Sequence, residues 1–455
     1  MNTHIAEPTA EPQSKQPALF DLPPAAPPAP EPSAPSAPPR LRQANRAQVE
    51  WRSVHLDGLL PEDHRARFVW AYVEGLDLAP LYRTIQAVEG EAGRPATDPK
   101  ILLALWLFAT LEAVGSARAL ARLCDEHIAY QWLCGGVPMN YHTLADFRTA
   151  HGAFLDELLT DSVASLLAAD LVNLNRVAQD GVRVRASAGA ASFRRRKTLE
   201  QHRADAAAQV QALRAELDAD PAATSRRQQK ARERAARERA ERVAQALAHL
   251  PALEAKKKPG DKGAARVSTT DPEARVMKMA DGGFRPAYNL QFATDTATQG
   301  IVGVEVTNAG TDHGQLAPMV DQLAERHAAP PAAMLVDGGF ATKEAIEAVS
   351  PRTTVYAPVQ KPKDPARDPH TPLPGDSPAV AAWRERMGTP EAQAIYKERA
   401  ATAECVNAQA RNRGLRQLLV RGLPKVRAIA LWYALAHNLA RALALGAVAG
   451  FLHRG

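Results

Sequence analysis

From residue 46 to about residue 175, apolar residues recur every three to four positions, the spacing of helices with one buried face. Arg67 to Leu81 carries this spacing. Asp98-Pro99 reads as a helix start, with Asp98 as N-cap and Pro99 in the first turn. Ser116 can cap a helix that runs to Cys134 and stops at Gly135-Gly136, and Asn140 to His151 predicts another short helix. Two short helices around a tight glycine turn suit a helix-turn-helix-like reader of DNA; an ordinary helical bundle has the same pattern.

Beyond residue 175 the period changes. Val177 to Val184 alternates like a strand. A charged stretch follows, from Phe193 to about Lys258, which Pro221 divides into two long, solvated helices. Residues 255–265 read as a basic loop. Tyr288 to Asp295 and Ile301 to Thr307 form a predicted hairpin around Thr296 to Gly300. Then come a helix over Gly314 to His327, a strand over Ala333 to Val336, a helix over Lys343 to Val349 and a strand over Thr353 to Val359. A Pro-rich loop (361–378) precedes two long helices, Thr389 to Arg413 and Leu423 to Leu445. This order predicts a mixed α/β domain with one insertion after its first strand.

Residues 1–45 have no such pattern. They are rich in Pro, Ala and Glu, a composition that buries too little apolar surface to offset chain entropy, and are expected to be disordered. The 455 residues, 45% of them hydrophobic, suffice for two or three compact units. A net charge of +6 permits a polyanionic partner without requiring one. Three cysteines (Cys124, Cys134 and Cys405) cannot form a dense disulfide framework and fit a reducing cytoplasm. Cys124, His127 and Cys134 are weak zinc candidates, lacking a fourth ligand. No apolar stretch reaches the roughly 18 residues that span a bilayer, so no membrane partner is expected.

Three acidic residues fall where a sheet brings side chains together. Asp180 lies in the first strand, Asp337 at the end of the fourth, and Glu404 on the helix after the fifth. Three carboxylates without His or Cys suit a hard divalent ion such as Mg²⁺. Two such ions about 4 Å apart activate an attacking oxygen and stabilise the leaving oxygen at phosphorus. Among 50 acidic residues, three alone are a weak signal. Lys278 and Arg285, flanking the second strand, are candidate phosphate contacts, and Asn289 and Gln291 alternate on a strand face that can meet DNA. Asp312 and His313 read as a helix N-cap that can also approach the acids. His437-Asn438 reads as a core buttress, and Trp432 and Tyr433 as core.

Several stretches of residues 97–445 resemble the DDE transposases of bacterial insertion sequences. They are Asp180 to Gly189 with Ser192 to Arg196; Gly283 to Phe292; Thr311-Asp312-His313-Gly314-Gln315; Val336-Asp337-Gly338-Gly339-Phe340; and Tyr396 through Glu404 to Gly414. The resemblance implies a ribonuclease-H-like core: a mixed five-stranded sheet with flanking helices and a helical insertion, preceded by an all-α N-terminal domain. The implied layout is a helical DNA-binding domain at 46–175, a core split into 176–192 and 266–450, and an inserted arm at 193–265.

Asp180, Asp337 and Glu404 would be the catalytic and metal-binding residues for two Mg²⁺, or Mn²⁺. Tyr396, Arg399 and Arg411 match the family's last motif in order and would contact DNA. In two respects the match departs from the pattern. Arg411 stands where the family has Lys, and the gap from Arg399 to Glu404 is one residue longer, which leaves Glu398 as a rival third ligand. Glu404 and Arg411, seven apart, share a helix face. The resemblance implies cleavage and strand transfer at the element's terminal inverted repeats by a homodimer associated with the nucleoid. Its rivals are a nuclease on the same core, a non-catalytic DNA-binding derivative and, remotely, a coiled-coil adaptor.

Overall fold

The computed structural model describes residues 55–87, 94–219, 226–362 and 364–446, with the isolated positions 47, 49, 53 and 90. The expected disordered tail and Pro221 lie outside the described residues.

Capping chemistry sets where the first helices begin and end. The single helix expected over Arg67 to Leu81 is two, α1 (Arg65–Glu74) and α2 (Ala79–Tyr82). Gly75 closes the first, and the Asp77 carboxylate accepts the Ala79 N–H (2.9 Å) to restart the chain. α3 (Pro99–Leu111) starts as expected, Asp98 accepting the Lys100 N–H. It is apolar on every side and buried along almost its whole length, so it forms the middle of this region.

The helix expected from Ser116 to Cys134 breaks into α4 (Ala117–Glu126) and α5 (Ile128–Cys134). His127 is extended there, and its Nδ1 accepts the Ala129 N–H to cap α5, which occupies the imidazole of the weak zinc candidate. Gly135, at φ 58°, ends α5 in the left-handed conformation. α6 (Tyr141–Ala150), capped by Asn140, and α7 (Gly152–Ala168) complete the helical region.

β1 (Arg176–Arg185) is the central strand. The chain then leaves the sheet through β2 (Phe193–Arg194) into α8 (Arg196–Ala219) and α9 (Arg226–Ala255) and returns through β3 (Val267–Ser268). β2 and β3 pair antiparallel and close the base of this arm. Next come β4 (Arg275–Lys278), β5 (Phe284–Asp295), β6 (Ile301–Thr307), α10 (Leu316–His327), β7 (Ala333–Leu335), α11 (Lys343–Val349) and β8 (Thr354–Tyr356). α12 (Pro378–Met387), α13 (Pro390–Arg399), α14 (Cys405–Asn412) and α15 (Leu423–Ala444) follow.

Among the described residues the main sheet has six strands, ordered β4-β5-β1-β7-β8 with β6 also on β5. β1 runs antiparallel to β5 and parallel to β7, and β8 is parallel to β7. The strand beyond the expected five is β4, four residues at the edge with only Met277 buried, too short to show a period. α12, unpredicted, begins at the end of the expected Pro-rich loop.

α15 packs on β6 and on α3, α6 and α7, so one helix serves both the helical region and the sheet. Among the described residues no helix is long and apolar enough to cross a membrane. Asn438 grips the hairpin on both sides, its Oδ1 accepting from Ile301 N and its Nδ2 donating to Ile301 O. His437 Nε2 donates to Gln299 O (2.8 Å), and Arg413 donates to Nδ1. Burial pushes the His437 imidazole down to about 4, against the opposing pull of the Gln299 carbonyl.

A depressed histidine stabilises the folded chain fully above the unfolded value near 6.5. That contribution fades as pH falls toward 4, a loss of about 3 kcal/mol at the acid end. Urea denaturation at pH 7 and pH 4.5 is expected to show a steep decline in stability. His437→Gln, which keeps a donor for Gln299, should make that decline shallower; an unchanged slope would assign it to other groups.

Candidate active site

The β1–β7 register explains a sequence separation that carries no information by itself. Ala178 pairs with Leu335 in parallel, so two residues further on Asp180 stands level with Asp337. Both lie just beyond the last residues that β1 and β7 pair: β7 ends there, β1 runs on to Arg185 against β5, and side chains of one parity emerge together. Asp180 Oδ1 accepts the Gly181 N–H (2.9 Å) and its Oδ2 accepts from Asn407 Nδ2 of α14 (3.0 Å). Asp337 Oδ1 accepts the Gly339 N–H (2.7 Å).

Glu404 arrives from the helix after β8. Between α13 and α14 the residues Ala400–Glu404 form one π turn. Such a turn absorbs one extra residue without ending the helix, and the extra residue lies in the Arg399–Glu404 gap. The turn is held from outside by Gln299, whose Nε2 donates to Ala401 O (3.1 Å), and from within by Thr402, whose Oγ1 donates to Glu398 O (2.9 Å). Gln299 is the residue His437 holds, so the core buttress also steadies the segment that carries Glu404.

The three acids meet at one guanidinium. Arg399 lies 3.3 Å from Asp180 Oδ1, 4.0 Å from Asp337 Oδ2 and 3.8 Å from Glu404 Oε1. The side chains grade from 11% exposed for Arg399 through 19% and 42% for the two aspartates to 66% for Glu404, so the cluster opens outward. Burial raises the Asp180 carboxyl above its usual range; Arg399 and the Gly181 N–H oppose this, while Asp337 and Asp312 add to it. Burial also raises the Tyr396 phenol, which hydrogen-bonds Arg399.

Glu398 faces elsewhere, pairing with Arg176 and accepting from Thr296 Oγ1 (3.1 Å). Among the described residues no three Asp, Glu, His or Cys side chains stand close enough to hold a metal as they are. The physical reason at this site is Arg399: each expected ligand turns to its guanidinium rather than to the others.

A cavity of about 680 Å³ runs away from the cluster, lined by Asp180, Asp337, Asp312 and the arginines 183, 185, 285, 411 and 416. Of the expected DNA contacts, Arg285 and Arg411 line it, Arg399 lies with the acids, and Tyr396 is half-buried behind them. Lys278 does not line it; its side chain is exposed on edge strand β4, and its carbonyl accepts from Arg183 (3.0 Å). Arg183, Arg185 and Arg416 were missed, although the first two alternate along β1 beside Gly181 and Val184.

Two expectations change. Asp312 is not a helix cap: α10 begins after Gln315 without a side-chain cap, and Asp312 instead accepts from Asn289 Nδ2 and Gln291 Nε2, both at 2.7 Å. Asn289 and Gln291 are fully buried, so these amides serve the protein interior rather than meeting DNA.

Residues 54–150 match a family model described as a transposase domain (DUF772), and residues 374–443 match a transposase DDE domain. The second match spans Tyr396, Arg399, Glu404 and Arg411. Both matches are to transposase domains, and together they support a DDE transposase of an insertion sequence. This is a family of enzymes that cleave nucleic acid, and DNA is the partner the family implies. No curated protein and no solved structure matches the chain. The first match ends with α6, and the second begins four residues before α12 and runs almost to the end of α15. β1 and β7, which carry Asp180 and Asp337, fall between the two.

Proposed function

We propose that this chain binds the terminal inverted repeats of its insertion sequence and catalyses metal-dependent strand cleavage and strand transfer with Asp180, Asp337 and Glu404. The observation that carries this is the convergence of those three carboxylates on Arg399 at the mouth of an arginine-lined cleft. A ribonuclease-H-like core is the reading that the strand order favours, with Asp180 on the central strand and Asp337 beside it.

The donor set fits a hard divalent cation. It offers carboxylate oxygen alone, and one cationic group already sits within 4.0 Å of all three acids. Mg²⁺ or Mn²⁺ held by Asp180, Asp337 and Glu404 would supply charge stabilisation at phosphorus and a more acidic attacking hydroxyl. The protein's own groups do the rest. Arg183, Arg185, Arg285, Arg411 and Arg416 bind the phosphodiester backbone along the cleft. Asn407 and the Gly181 N–H orient the Asp180 carboxylate, and the Gly339 N–H orients that of Asp337. Tyr396 and Arg399 act at the scissile phosphate, and Arg399 would have to release the three acids for them to hold a cation. Water is the first nucleophile, and the freed 3′-hydroxyl the second.

α5 and α6, around Gly135-Gly136, read the repeats, and the task of holding two element ends implies a homodimer. The test is a gel assay with labelled repeat DNA, a target plasmid and Mg²⁺. A joined product is expected. Cleavage without joining would leave a nuclease and overturn strand transfer; no cleavage would overturn the catalytic assignment.

A further inference from the structure

We propose that the cavity between the α3–α4 turn and the α14–α15 loop is an anion site, in which Arg148 and Arg413 hold a phosphate group. The site stands apart from the three acids and does not depend on their assignment; only its occupation by DNA rests on the reading given above. Its volume is about 270 Å³. Arg148, from the last turn of α6, and Arg413, just past the end of α14, both line it. Among the described residues no aspartate or glutamate lines it.

Two arginines in one place would argue little if each had its own counter-charge. Neither is paired with a carboxylate among the described residues. Arg148 gives Nη1 to the Gly115 carbonyl and lies over the Trp106 ring, 4.5 Å from its centroid. Its Nε is buried with no acceptor. Nη2 has no acceptor among the described residues, and it lies 4.0 Å from where a side chain on Gly115 would start. Gly115 is exposed and lines the same cavity, so this end of the guanidinium is at the opening. With no carboxylate to offset it, burial pushes the Arg148 guanidinium down to about 10. Arg413 donates to His437 Nδ1, an imidazole that burial keeps neutral.

A cation taken out of water without a counter-charge is costly, and buried charges are ordinarily paired. The partner missing here is the ligand. Nε and Nη2 form one edge of the guanidinium, so a whole two-donor fork is free, the shape that grips two oxygens of one phosphate. The far wall is apolar, with Leu418, Ile429 and Trp432, and suits the sugar of a phosphodiester better than a bare ion. Leu415 lines both this cavity and the catalytic cleft, so a strand held by Arg411 and Arg416 passes beside the opening.

The experiment is thermal denaturation of the full chain in inorganic phosphate against chloride at matched ionic strength, for the wild type, Arg148→Met and Arg413→Gln. Arg148→Met keeps the reach of the side chain without its charge, and Arg413→Gln keeps a donor for His437. Phosphate is expected to raise the wild-type melting temperature by about 2 °C or more, and either substitution to remove most of that rise. Gel-shift titration with repeat DNA at several salt concentrations then identifies the source of the phosphate. If it is the DNA backbone, Arg148→Met weakens binding about tenfold and lowers the salt dependence by about one counterion. Unchanged DNA binding with the phosphate response lost assigns the site to free phosphate. A folded variant that matches the wild type in both phosphate response and DNA affinity overturns the proposal. Neither measurement involves cleavage, so failure of the catalytic assignment would leave both readouts as they are.

Discussion

Asp337→Ala is expected to lower the rate of strand cleavage by about a thousandfold or more while leaving affinity for repeat DNA within about threefold. The size follows from the several kilocalories per mole that a bound divalent ion contributes to a phosphoryl-transfer transition state, each 1.36 kcal/mol being tenfold in rate. Binding survives because the cleft's affinity for DNA comes from Arg183, Arg185, Arg285, Arg411 and Arg416, which remain. Removing one negative charge from their midst, if anything, strengthens it. The fold should survive too. Asp337 is 42% exposed, follows the end of β7, and among the described residues makes one side-chain hydrogen bond, to its own loop at Gly339. Gel-shift titration and cleavage of a labelled repeat, run on the same preparation, read both quantities. Cleavage within tenfold of wild type would remove Asp337 from the reaction. A parallel collapse of DNA binding would make it structural.

The second large effect is on stability. Trp432→Ala is expected to cost about 3–5 kcal/mol, the range for emptying a fully buried aromatic site. A typical domain holds only about 5–15 kcal/mol in total, so the variant should be barely folded at 37 °C. Trp432 is 1% exposed. It lies on α15, tilted against Phe147 of α6 at 6.3 Å, and its Nε1 donates to Arg148 O at the end of α6 (2.9 Å). It therefore joins the helical region to the helix that backs the sheet. Trp432→Phe, which keeps most of the volume and loses the donor, should cost roughly 1–2 kcal/mol. Urea denaturation of all three proteins decides this. Equal stability of Trp432→Ala and wild type would mean that the two regions do not share one core.

How much of this was legible beforehand depended on the kind of signal. Asp98 before Pro99 and Asn140 before α6 are local cap chemistry, and both helices begin where those residues place them. Breaks inside a periodic stretch were not legible. Apolar spacing continues across Gly75 to Leu78 and across His127, while the backbone turns on a single side-chain cap at each. The acids were visible as types and by their elements, one within a strand, one at a strand's end and one on a helix, but their meeting depends on a parallel register between β1 and β7, which no local pattern encodes. The extra residue before Glu404 was visible as a spacing, but its accommodation as a π turn rests on Gln299, about a hundred residues away in sequence. Asn289 and Gln291 show the converse failure. Polar residues alternating on a strand read as an outward face, yet the ladder with β1 and β6 seals them inside with Asp312 as their partner.

The two-residue ribbon at the foot of the charged arm bears on how such a chain changes over time. Phe193 lies opposite Ser268 and Arg194 opposite Val267, so the polypeptide departs and comes back about one strand spacing, roughly 4.8 Å, apart. A graft whose two ends are already neighbours strains nothing in its host when it lengthens, shortens or exchanges its tip. The arm can thus drift in reach and charge under its own selection, while the sheet that presents the acids stays as it is.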